Sequence, residues 1–132
     1  MNRALLPFFG LLFCLSGCAA NRIALPRDPL RLTIIQRTDK VIPGSHRGAR
    51  IKLGDITQGQ VLLSIRGPLG QPIVDTTSVR EGDVVPFQCG KNAYYLTVVE
   101  LRNLVVGDDF AVFDVSSMDP KRAPQSSPEP SG

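Results

Sequence analysis

The chain has 132 residues, 15 Lys/Arg against 12 Asp/Glu for a net charge of +3, and is 42% hydrophobic and 20% charged. That length admits one modest domain and excludes large enzyme frameworks such as an eight-fold α/β barrel of about 250 residues. The hydrophobic content lies near the globular norm and excludes wholesale disorder, and one histidine with three cysteines leaves little material for a metal site.

Residues Met1–Ala20 read MNRALLPFFGLLFCLSGCAA, with Arg3 as the only charge. The apolar run Leu5–Leu15, interrupted by Pro7 and Gly10, is too short to cross a bilayer as a helix, which takes about 20 residues. A positive start, a short apolar core and small residues after it have the form of a secretory leader. Its end, Leu15-Ser16-Gly17-Cys18, resembles the lipobox of bacterial lipoprotein precursors. The resemblance covers residues 1–18 and implies cleavage between Gly17 and Cys18. It also implies that the Cys18 thiol accepts a diacylglycerol group and that the new amino terminus is acylated. More than one acyl chain gives stable anchoring without a spanning helix. Ala19 and Ala20 follow the cysteine, where an aspartate would mark inner-membrane retention in Gram-negative lipoproteins. The expectation is therefore an outer-membrane lipoprotein with its domain on the periplasmic face.

Residues 18–29 are expected to form a tether, because Pro26 and Pro29 favour extended backbone and little in the segment suggests a core. At the other end, residues 116–132 hold four prolines and five serines. Such a segment cannot bury enough surface to offset its ordering entropy, so it is expected to be a disordered tail.

Between them, residues 30–115 hold 25 Val, Ile and Thr but three Ala. Stiff β-branched side chains fit a pleated sheet better than a helix, and no stretch shows a helical period. The expectation is an all-β domain: a small antiparallel meander barrel or compact sandwich of about six or seven strands. The strands fall near Leu30–Arg37, Ala49–Leu53, Gln60–Arg66, Ile73–Thr76, Val84–Phe87, Ala93–Asn103 and Asp109–Val115. Alternation places Val61, Leu63 and Ile65 on one face, as it does Leu32 and Ile34. In the long strand it sets Tyr94, Leu96 and Val98 against Tyr95, Thr97, Val99 and Leu101. Both of those faces are apolar, so this strand is expected to be central. Pro86, which has no N–H to give to a ladder, is expected at an edge or a bulge.

Charge is uneven along the chain: residues 18–66 sum to +6 and residues 67–132 to −4. The basic half contains Ser45-His46-Arg47-Gly48-Ala49-Arg50-Ile51-Lys52, read as a loop leading into a strand. His46, Arg47, Arg50 and Lys52 are the candidate anion- or partner-binding residues. The competing reading is a solvated strand face whose cations pair with residues such as Asp75 or Glu100. Nucleic acid is not expected, since no aromatic–basic interleaving appears.

No glycine-rich phosphate loop, zinc spacing or Ser/His/Asp signature is present. Cys89 has no disulfide partner once Cys18 is acylated. Gln88-Cys89-Gly90 with His46 suggests a thiol–imidazole pair only if the fold brings them together. Asp108-Asp109 reads as a turn cap rather than a cation site. The expectation is no enzyme, no cofactor and no metal. The leading function is a lipid-anchored envelope module that binds another protein, possible forms being an inhibitor or immunity protein. The alternatives are an accessory subunit of a secretion or transport complex, or a module binding peptidoglycan or lipopolysaccharide.

Overall fold

The computed structural model describes residues 22–46 and 48–122. The expected lipobox with Gly17 and Cys18, the candidate Arg47 and the end of the tail lie outside them. Eight strands follow in chain order: β1 (Leu30–Ile35), β2 (Asp39–Val41), β3 (Arg50–Thr57), β4 (Gln60–Arg66), β5 (Pro72–Arg80), β6 (Val84–Cys89), β7 (Asn92–Arg102) and β8 (Phe110–Ser116). They form two antiparallel four-stranded sheets, ordered β1-β8-β7-β6 and β2-β3-β4-β5. The all-β expectation holds. Of its two forms the sandwich is correct, because the sheets stay separate and do not close into a barrel. Strands β2–β5 are a plain meander and so are β6–β8. The exception is β1, which pairs with β8 in the register Leu32↔Phe113 and Ile34↔Ala111.

Apart from β2, the strands bury the face that their alternation supplies. From the first sheet come Leu32, Ile34, Phe87, Cys89, Tyr94, Leu96, Val98, Ala111, Phe113 and Val115. From the second come Ile51, Leu53, Ile56, Val61, Leu63, Ile65 and Val79. Strand β7 is interior in its sheet, between β8 and β6, and Pro86 stands on the edge strand β6.

The expected strands need correction. The eighth strand, β2, has three residues, all exposed, so it carries no alternation to read. Strand β3 does not stop at Leu53; a register shift between Leu53 and Ile56 carries it past Gly54-Asp55 and turns Ile56 back into the core. The side-chain oxygen of Gln36 accepts a bond from the Ile56 N–H at 3.2 Å beside this irregularity. Strand β5 runs on from Thr76 to Arg80. Leu101 is on the opposite face from the one expected: a register shift between Val98 and Glu100 inverts the alternation, so Leu101 pairs with Ala111 and packs against the core. Bulges of this kind insert one residue and re-aim the side chains that follow.

The β3–β4 hairpin closes through Gln58-Gly59, with φ of 52° and 76°. Two consecutive positive φ values suit a tight two-residue turn between right-twisted strands.

The stretch expected to be a tether from residue 18 to 29 is in part built into the domain. Ile23 is buried and forms a bridge with Ser45. Its N–H donates to the Tyr94 hydroxyl at 3.0 Å, and that hydroxyl donates to the Ile23 carbonyl at 2.7 Å. Ala24 N–H donates to the Gly44 carbonyl. Gly44 has φ of 84°, and a Cβ there would meet the Ala24 carbonyl oxygen at 2.0 Å, so the approach requires glycine. One isoleucine in a proline-rich segment has no periodicity to announce it.

Candidate functional site

The sandwich has two ends of different character. At the first, residues 22–29 cross from the second sheet to the first, passing the loop before β3, the β6–β7 turn and the exit of β8. An open depression of about 550 Å³ lies here, lined by Ile23, Leu25, Asp28, Lys91, Tyr94 and Ser117 among others. Phe87 and Tyr94 stack below it with ring centroids 5.7 Å apart. The Asp28 carboxylate accepts from the backbone N–H and the hydroxyl of Ser117. Burial pushes the Asp28 carboxyl upward, but bonds from Ser117 and Ser116 outweigh it and hold the group below the ordinary carboxylate range.

His46 belongs to this end, its N–H donating to the Arg22 carbonyl at 2.7 Å. It also lines a second, smaller cavity of about 170 Å³ with Gln71, Gln88 and Cys89. The fold thus brings His46 and Cys89 to one cleft, which spacing alone did not reveal. No hydrogen bond joins them among the described residues, and Cys89 is 4% exposed. Burial pushes its thiol up, away from the thiolate that nucleophilic chemistry uses.

The basic segment does not stay together. Arg50 and Lys52 alternate with buried Ile51 and Leu53, so both project from the outer face of the second sheet. Arg50 pairs with Asp39 at 3.2 Å on the neighbouring strand. His46 sits instead at the sandwich end, three residues before the buried Ala49 that precedes β3. Glu100, weighed from sequence as a partner for the basic segment, pairs instead with Arg102 on its own strand at 2.8 Å.

At the opposite end the β7–β8 loop carries a feature that the sequence reading passed over. Leu104, Val105 and Val106 are 42%, 102% and 85% exposed. The Asp109 carboxylate accepts from the Leu104 N–H at 2.8 Å and closes the loop, so this aspartate caps a turn as expected. The surrounding turns are acidic: Glu81 accepts from the Leu101 N–H, Asp83 accepts from the Arg80 N–H, and Asp108 is exposed. The available signal was three consecutive apolar residues directly before Gly107-Asp108. It was missed because Leu-Val-Val reads equally well as the end of a strand.

Among the described residues no group of three or more His, Cys, Asp or Glu is placed to hold a metal ion. No described helix is long and apolar enough to cross a membrane. No protein-family description matches the chain, and neither the curated proteins nor the solved structures contain a significant match to it.

Proposed function

We propose that this chain is a lipid-anchored envelope protein, held through Cys18 at the periplasmic face of the outer membrane, and that its β-domain works as a protein-binding module. The anchor rests on the lipobox order Leu15-Ser16-Gly17-Cys18. The observation that carries the binding role is the β7–β8 loop, which holds Val105 and Val106 almost wholly in water. Runs of exposed apolar side chains cost solubility and mark interaction sites when they persist. The acidic turns around the loop suit a protein partner with an apolar cleft rimmed by lysine or arginine. The reading assigns the chain no catalytic step. Its forms as an inhibitor and as an accessory subunit share this contact and differ in the partner's identity.

The test is site-specific photo-cross-linking in intact cells. A photoreactive residue at Val106 is expected to trap one defined envelope protein, and the same residue at exposed Thr76 on β5 is not. Val105→Asp is expected to abolish the Val106 product while leaving the protein folded. Equal trapping from both positions would contradict the reading.

A further inference from the structure

We infer that the end of the sandwich bearing Ile23 docks onto an anionic phospholipid surface and that the domain stands end-on, its β7–β8 loop directed away from the bilayer. The inference rests on the proposed acylation of Cys18.

Its first support is chain length. Only four residues, Ala19–Arg22, separate Cys18 from buried Ile23. Fully extended, the connection reaches about 18 Å. Ile23 is clamped by the Tyr94 hydroxyl and by its bridge to Ser45, so it does not release further chain. An acyl group on Cys18 therefore keeps this end close to the headgroups.

Charge gives the second, independent support. This end of the sandwich carries Arg22 and Arg27 in the crossing segment, Lys91 in the β6–β7 turn and Arg66 at the end of β4, with Lys121 and Arg122 following the exit of β8; all but half-buried Arg66 are exposed. The β6–β7 turn presents Lys91 beside Ile23, and the Arg66 guanidinium donates to the Gly70 carbonyl in the neighbouring loop. Against them are Asp28, turned onto Ser117, and Asp119, which caps the turn at Lys121. Asp114 is already paired with Arg31 at 2.9 Å. The opposite end has the reverse balance. Arg37 pairs with Asp55 and Arg102 with Glu100, leaving Glu81, Asp83, Asp108 and Asp109 against Arg80. Basic residues next to an anchor are drawn to anionic lipid within a Debye length, and an acidic end is repelled. This polarity disfavours insertion of the Leu104–Val106 loop into the bilayer that holds the anchor. Strand β7 runs from one end to the other over 11 residues, which sets the loop about 35 Å further from the membrane than Asn92.

The experiment uses the acylated protein on vesicles of phosphatidylethanolamine and phosphatidylglycerol carrying a headgroup quencher. A fluorophore is placed at Asn92→Cys or at Val105→Cys. Quenching several-fold stronger at 92 than at 105 is expected. The difference should shrink on phosphatidylcholine alone and in the Arg22→Glu/Arg27→Glu/Lys91→Glu variant. Equal quenching at both positions on a protein that floats with the vesicles would overturn the docking and leave the anchor standing. So would a difference indifferent to lipid charge and to charge reversal. A protein that does not float would overturn the anchor, and the docking with it.

Discussion

Tyr94 ties together two parts of the chain 71 residues apart, through one hydroxyl that both accepts and donates. Removing that oxygen leaves the N–H and the carbonyl of Ile23 without these partners inside the protein, and each orphaned buried group costs about 1–3 kcal/mol. Tyr94→Phe is therefore expected to destabilise the domain by roughly 2 kcal/mol, read as a lower urea midpoint. An unchanged midpoint would mean that the 22–29 segment is not fastened as described. Asp28 makes a prediction of opposite pH sense from a buried base. Its folded-state acidity is strengthened by Ser117 and Ser116. Its contribution is present above the unfolded carboxylate value of about 3.9 and is lost as pH falls through the lower, folded value. Asp28→Asn should lower stability at neutral pH, and the gap from wild type should close below about pH 4. Denaturation midpoints across that range check the sign. A gap that widens on acidification would refute the assignment.

The elements show what patterning can and cannot reveal. Runs of regular alternation were legible: Val61, Leu63 and Ile65 are all at or below 1% exposure, and β7 is interior as its two apolar faces required. The irregularities within strands were not. A bulge leaves no composition signature, so the face of Leu101 and the extension of β3 through Gly54 had to come from the register. The bulge carries its own test. Leu101 packs on the core beyond it, so Leu101→Ala is expected to cost about 1–2 kcal/mol. Val99, the residue the bulge sets apart, should cost clearly less when cut to alanine. The reverse order in thermal denaturation would place the shift elsewhere. The site was less legible than the fold for the same reason. A contiguous basic segment in sequence became two locations, because strand alternation sends Arg50 and Lys52 to a sheet face while His46 stays at the sandwich end. The apolar loop was hidden by its likeness to a strand terminus.

The whole molecule has two unlike ends. One is basic, crossed by the segment that follows Cys18 and fixed to the core at Ile23, five residues further on. The other is acidic around an apolar tip. On the proposed reading, the sandwich between them would convert attachment at one end into presentation at the other. Linear charge asymmetry hinted at this polarity, but the two halves of the chain interleave across both sheets, so only the fold could assign cations and carboxylates to opposite ends. Metabolic labelling with palmitate, followed by membrane fractionation, tests the account most directly. Wild-type protein should incorporate label and sediment with the outer membrane, and Cys18→Ala should do neither. A Cys18→Ala chain that still sediments with membranes would contradict it.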